Sequence, residues 1–171
     1  LRLHLKDRIQ ITAESSINKF KAKDWDNCNK NGNVFLSYNF LKLLEDSNSI
    51  GGNTGWQPIY FCLKVNGKIT AVVPSFIKYH SQGEFVFDHS WAQAYQSLGL
   101  NYYPKLLIAS PFSPVTGKRI LVTQNINALI KKKLFDFIKD FCKEKKISSI
   151  HINFFEEYEL DFLKNEGFLI R

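Results

Sequence analysis

The sequence contains no methionine. It opens at Leu1 without an initiator, and a piece of a longer protein is expected. Arginine is scarce: four stand against 19 lysines. Nucleic-acid interfaces favour clustered, bidentate arginine, so the net charge of +7 reads first as a Lys-, Asn- and Ile-rich composition and only second as a sign of an anionic partner; no DNA partner is expected. No apolar run approaches the roughly 20 residues of a membrane helix, and no signal-peptide pattern opens the chain. The three cysteines, Cys28, Cys62 and Cys142, are odd in number and form no CxxC pair. That fits a reducing, cytoplasmic setting better than a disulfide scaffold and makes a zinc cage a poor fit.

What is present is core material. The 171 residues are 44% hydrophobic and 15% aromatic, enough to bury the interior of one domain and too apolar for a chain that stays solvated. Arg8 to Ile11 predicts a short strand, Ser16 to Asn27 a weak amphipathic helix, and Ser37 to Ser47 a second helix stopping before Gly51-Gly52. Ile59 to Val65 and Lys68 to Ile77 flank Asn66-Gly67, the favoured two-residue hairpin turn. Glu84 to Asp88 predicts a short strand, with Phe85 and Phe87 on one side. Ser90 to Gln93 has the Ser-x-x-Gln capping-box pattern, and Gly99 suits a helix end. Lys105 to Ala109 predicts a buried strand, followed by the Pro-rich Ser110 to Gly117. A long helix is expected from Asn125 to Lys146, with an apolar stripe of Ile126, Ile130, Leu134, Phe137, Ile138 and Phe141. The alternating Ile150 to Phe154 predicts a strand, Glu156 to Asn165 a helix, and Gly167 onward the start of another strand. Hairpin strands followed by strand–helix–strand units imply a mixed α/β sheet flanked by helices.

The densest polar and aromatic stretch is Lys78 to Tyr95. It holds His80, Glu84, Asp88, His89, Trp91 and Tyr95. A half-buried Glu or His tuned toward neutral pH is suited to proton transfer, so Glu84 and His80 are the catalytic candidates, with Lys78, Asp88, Trp91 and Tyr95 as substrate contacts. An equal reading is that His80, Glu84 and Asp88 hydrogen-bond a loop and cap the following helix. Along an extended strand Glu84 and Asp88 would lie roughly 13 Å apart, too far to share a proton unless the segment bends. No histidine spacing matches a metal ligand set.

Tyr102, Tyr103 and Lys105 follow as further cleft candidates. Thr116, Gly117, Lys118 and Arg119, after a strand and before a long helix, could hold a phosphate by main-chain N–H groups and two cations; an ordinary proline-braced loop is the plainer alternative. The lysines at 131–133, 139, 143 and 145–146 alternate with Asp136, Asp140 and Glu144 at i,i+3 and i,i+4 spacings, as on a solvated, salt-bridged helix face.

Several long blocks resemble one bacterial family: Pro74 to Tyr95, Gly99 to Leu106, Pro111 to Arg119, and upstream Phe35 to Leu41, Leu44-Glu45 and Gly55 to Pro58. The sequence resembles the FemAB-like group of GNAT-fold proteins, labelled peptidoglycan biosynthesis/recognition or N-acetyltransferase. The resemblance implies a GNAT-like (acyl-CoA N-acyltransferase) fold over residues 1–171, with an insertion between the third and fourth strands containing the His80 to Tyr95 block. It implies the first domain of a tandem pair whose C-terminal half is missing. It also implies transfer of an acyl or aminoacyl group, from acyl-CoA (such as acetyl-CoA) or aminoacyl-tRNA, to an amine on a small molecule or a cell-wall precursor. Activity would belong to the full-length enzyme, this half alone being inactive. The alternative is a non-catalytic domain that binds a cell-wall precursor or tRNA beside a catalytic partner. Two departures weigh against acetyl-CoA chemistry within this half. The pyrophosphate loop Gln/Arg-x-x-Gly-x-Gly/Ala is replaced by Pro114 to Ile120, and the tyrosine of a Tyr-x-x-x-Gly-Phe ending is Leu163.

Overall fold

The computed structural model describes residues 8–30, 32–86, 88–124 and 126–170. Its sheet runs β1 (Ile9–Glu14), β2 (Trp56–Val65), β3 (Lys68–Lys78), β4 (Lys105–Ile108) and β6 (Ile150–Ile152), with β5 (Leu121–Val122) also on β3. Its helices are α1 (Ala22–Asp26), α2 (Tyr38–Asp46), α3 (His89–Ser97), α4 (Ala128–Glu144) and α5 (Leu160–Asn165). Neighbouring strands are antiparallel except β4 and β6, which are parallel.

The β2–β3 hairpin forms where the sequence places it. Asn66 and Gly67 both have positive φ, 51° and 79°, the turn whose twist matches the flanking strands. Alternation along these strands divides the core in two. One set of side chains, including Phe61, Leu63, Val73, Leu106 and Ile108, packs under α4. The other, including Tyr60, Cys62, Val72, Phe76 and Leu107, packs under α1 and α2. On α4, Phe135 and Cys142 join the predicted Ile130, Leu134 and Ile138 in full burial, while Phe141 meets Phe61 edge-on at 5.2 Å. Asn127 caps this helix by accepting from Ile130 N at 2.9 Å; the expected start at Asn125 lies outside the described residues. The wet face carries the predicted Lys132–Asp136 pair at 2.9 Å.

Four expectations need correction. Ser16 to Asn27 is not one helix but a 3-10 turn (Ile17–Lys19) and the short α1. The chain extends at Phe20 and Lys21, which lets Phe20 and Trp25 turn to the same core, their rings 5.1 Å apart. Glu84 to Asp88 is not a strand: Phe85 lies in the left-handed region at φ 57°, and the segment folds over the sheet end. Ser90 does not cap α3, whose N-cap is Asp88 with no side-chain cap bond. Residues 168–170 form no strand.

Strand β5 was not foreseen, and it shows how β4 is built. Leu107 pairs with Phe76 and Leu121 with Val72, so β4 and β5 are two halves of one strand along β3. Between them residues 109–120 leave the sheet as a long excursion opposite residues 73–75.

Candidate functional site

Two polar assemblies lie on the α1–α2 side of this interrupted strand. The first is at the end of the sheet where β3 finishes and β4 begins. Lys78 and Lys105 face each other across the β3–β4 pairing, and both side chains are 0% exposed. Two buried ammonium groups demand anions, and the turn after Gly83 supplies them. Lys105 Nζ lies 2.8 Å from Glu84 Oε2 and 2.5 Å from Asp88 Oδ2, and it donates to Ser81 Oγ at 3.0 Å. Tyr102 donates to Asp88 Oδ2 at 2.7 Å, and Tyr103 and Ser81 share a 2.7 Å hydroxyl contact. Lys78 Nζ sits 3.6 Å from the centre of the Trp56 ring and 3.9 Å from Glu84 Oε1, and it donates to Gln82 O at 3.3 Å. The segment therefore bends, and the two carboxylates share an ammonium rather than a proton.

Electrostatics follow from this closure. Burial lowers the Lys78 amine to about 7, against the pull of Glu84. Burial also raises the Glu84 carboxyl, with Lys105 opposing. For Asp88 burial would raise the carboxyl too, but hydrogen bonds from Lys105, Ser81 and Tyr102 prevail and hold it at about 2.

The second assembly is an open cleft of about 410 Å³. One wall is the link between α1 and α2, with Cys28, Asn29, Asn33 and Phe35; the other is the excursion, with Val115, Thr116, Gly117 and Lys118, and Leu121 and Glu156 close it. Asn29 Nδ2 donates to Asn33 O at 2.8 Å, and Asn33 Oδ1 accepts from Phe35 N at 3.0 Å, so these amides stand in fixed orientations. Gly117 sits in close approach: a Cβ there would lie 2.8 Å from Asn33 Nδ2, so any side chain at 117 must displace that amide. The Gly117 N–H donates to Phe154 O at 3.0 Å.

Behind the cleft the excursion is fastened to the chain after β6. Arg119, 2% exposed, donates from Nε to Asn153 O at 2.8 Å and from Nη2 to Phe154 O at 2.7 Å and Val115 O at 2.5 Å. Burial lowers its guanidinium to about 10, still charged at neutral pH. The carboxylate of Glu159 accepts from Arg119 N and Ile120 N at 3.2 and 3.3 Å and from Glu156 N at 3.2 Å. Burial raises this carboxyl, with those N–H bonds opposing. Phe112 and Phe154 both have φ near 55°, a conformation that costs side-chain-bearing residues about 1 kcal/mol or more and persists where the surroundings enforce it.

The predicted residues thus divide. Lys78, Glu84, Asp88, Tyr102, Tyr103 and Lys105 meet in the closed ionic assembly. Tyr95 packs edge-on against Tyr102 at 5.2 Å, and Trp91 is 46% exposed on α3. His80 is elsewhere, its Nε2 3.0 Å from Thr54 O, filling the space over Gly55, where a Cβ would lie 2.0 Å from its ring. Thr116, Gly117 and Lys118 line the cleft, whereas the Arg119 side chain is committed to carbonyls behind it. Leu163 is buried in the core under α4. The sequence reading missed Asn29, Asn33 and Glu156. Asn33 carried one signal, an N-cap residue before an apolar turn; nothing local marked the other two.

The architecture is the GNAT fold, with an insertion (residues 79–104) between β3 and β4. It is similar to an aminoglycoside N-acetyltransferase AAC(6')-Iy solved in complex with CoA, at 11% identity and TM-score 0.58 over 99% of this chain and 93% of that one. It is also similar to a ribosomal-protein-alanine N-acetyltransferase from Brucella melitensis biovar Abortus 2308, at 12% identity and TM-score 0.53 over 96% and 99%. The chain belongs to the FemAB-like family, described as peptidoglycan biosynthesis/recognition, whose model matches residues 16–171. No curated protein matches the sequence.

Whether this chain's residues fit CoA is decided by its N–H groups. A pyrophosphate needs several main-chain donors at a loop before a helix. Here residues 123–127, which lead into α4, contain no glycine. Asn127 takes Ile130 N, and Glu159 takes Arg119 N and Ile120 N. Among the described residues, the N–H groups of Arg119, Ile120 and Ile130 are thus spent within the chain and do not fit a phosphate-bearing cofactor. Among the described residues no cluster of three or more His, Cys, Asp or Glu is arranged to hold a metal ion, and no helix is long and apolar enough to cross a membrane.

Proposed function

We propose that this chain is the acceptor-binding domain of an N-acyltransferase of the FemAB-like type. The observation that carries the reading is the open cleft at the carboxyl ends of β4 and β6, the one parallel pair among the described strands, where an α/β sheet receives its ligands. The cleft pairs a cation, Lys118, with a carboxylate, Glu156, between oriented amides of Asn29 and Asn33. That chemistry suits a polar, amine-bearing acceptor with an anionic end, and the family description favours a cell-wall precursor. In the reaction the acceptor's ammonium first gives up a proton; the free amine then attacks an ester or thioester carbonyl, the new C–N bond replaces the C–O or C–S bond, and the amine's second proton leaves with the freed tRNA hydroxyl or CoA thiol. Glu156 orients the ammonium and takes its first proton; Lys118 holds the anionic end. In this reading Glu84, Asp88, Lys78 and Lys105 are positioning residues that fix the insertion, and His80 braces the loop at Gly55. The donor is an acyl-CoA or an aminoacyl-tRNA, both cytoplasmic, and a second GNAT-like domain beyond this one completes the active site.

The second reading is a recognition domain without chemistry of its own. It is favoured by the closed ionic assembly, which leaves Glu84 no route to a substrate. Steady-state kinetics of the full-length protein separate the two. Glu156→Gln is expected to lower kcat at least 10-fold with KM little changed, and Lys118→Ala to raise KM by a similar factor. Wild-type kcat in Glu156→Gln leaves the recognition reading, and wild-type values in both variants remove the cleft from either. Native mass spectrometry of protein purified from cells identifies the donor. If tRNA is that donor, its affinity falls about 10³-fold or more between roughly 50 and 200 mM salt, as six or more phosphate contacts require.

A further inference from the structure

Past Ile108 and Ile152 the parallel strands part. Asn153 N still donates to Ile108 O at 3.1 Å; beyond that point the excursion fills the gap, fastened by the Arg119 guanidinium. The two successive N–H groups of Arg119 and Ile120 point to one spot, and Glu156 N joins them. Main-chain N–H groups that converge in this way form an anion-binding nest. This nest is filled by the Glu159 carboxylate, 6% exposed and 40 residues along the chain from Arg119.

We infer that Glu159 is the internal occupant of an anion site between β4 and β6, and that it closes this crevice to the phosphate groups that either class of donor carries. A role confined to capping the turn at Glu157–Glu159 would need only the Glu156 N–H; the bonds to Arg119 and Ile120 serve the crevice. With the carboxylate in place the three donors are taken, and a second anion beside it meets like charge in a poorly screened interior. The guanidinium that could neutralise such a ligand donates instead to Asn153, Phe154 and Val115 carbonyls. The acyl or aminoacyl donor is therefore bound outside this domain and meets the acceptor from across the cleft. This deepens the acceptor-domain reading and rests on it for the donor's place, but its test does not use turnover.

The test compares the wild-type chain with Glu159→Ala and Glu159→Gln by thermal melting and by calorimetric titration. The probes are sodium acetate, inorganic phosphate and CoA, with chloride at matched ionic strength as reference. The wild type is expected to gain nothing from acetate or phosphate beyond the chloride effect and to give no saturable heat with CoA. Glu159→Ala is expected to melt several degrees lower and to be restored by acetate and phosphate, which re-enter the vacated nest. Glu159→Gln, close in volume, keeps the fold, still blocks the nest and shows no such rescue. Saturable 1:1 binding of CoA by the wild type overturns the inference, as does a folded Glu159→Ala indifferent to both anions. Should Glu159→Ala fail to fold, the wild-type CoA titration decides alone. A failed kinetic test of Lys118 and Glu156 would leave these results standing.

Discussion

Lys105 is the residue on which most of the insertion depends. Its ammonium is the common partner of Glu84, Asp88 and Ser81, and removing one member of a buried ion assembly leaves uncompensated charge, at a cost of about 3–5 kcal/mol. Lys105→Met is expected to lose that much in urea denaturation, while Lys132→Ala, whose partner Asp136 lies on the wet face of α4, loses nothing measurable. Asp88 makes the assembly sensitive to acid. Its folded carboxyl titrates at about 2 against 3.8 unfolded, so its contribution, about 2 kcal/mol, is complete above pH 4 and is lost as pH falls toward 2. Lys78 has the opposite bearing: its folded amine at about 7 against 10.5 unfolded is a penalty in full below pH 7 that disappears as pH rises toward 10.5. Burial of Glu84 and Glu159, which raises both carboxyls, acts against these gains as pH climbs past the ordinary carboxylate range, so the check is by difference between pH 2 and 10: Asp88→Asn is expected to remove the gain between pH 2 and 4, and Lys78→Met the gain above pH 7.

At the scale of elements, what was legible depended on how far apart the partners lie. The hairpin, α2, α4, β4 and β6 were readable because period and turn chemistry are local. The two clusters of site residues were half readable. Lysines at the end of one apolar run and the start of another, with the only two carboxylates of residues 79–104 between them, mark a buried ionic group once the strands are known to pair. The same residues read as a strand gave the wrong distance, because the left-handed turn at Phe85 has no signature in an aromatic side chain. Asn29, Asn33 and Glu156 reach the cleft through tertiary packing, and two-residue β5 is too short for any periodicity. Gly117 joins the levels: Gly117→Ala is expected to push the Asn33 amide away from Phe35 N, reducing ligand affinity severalfold in the cleft while the melting temperature changes little, measurable by titration with the acceptor.

For the whole molecule, charge is distributed by region rather than evenly. The chain carries +7, yet residues 79–104 contain no lysine or arginine, and both carboxylates there are buried. Six of the twelve exposed large hydrophobic residues among those described, Tyr79, Phe85, Val86, Trp91, Leu98 and Leu100, lie in this one insertion. The insertion therefore answers little to ionic strength, and salt-dependent behaviour traces to the lysines of the remaining surface, those of α4 and Lys19, Lys21, Lys23 and Lys30 among them.

The interrupted strand has a consequence for how such a domain can change. Because β3 holds β4 and β5 in line, the excursion leaves and rejoins the sheet across a short span of backbone, and loop closure of this kind costs little more as the loop grows. The wall of the cleft can lengthen or shorten while the sheet, both cores and the ionic assembly keep their places. One frame can thus be refitted to acceptors of different size by insertion and deletion, with no substitution in the core.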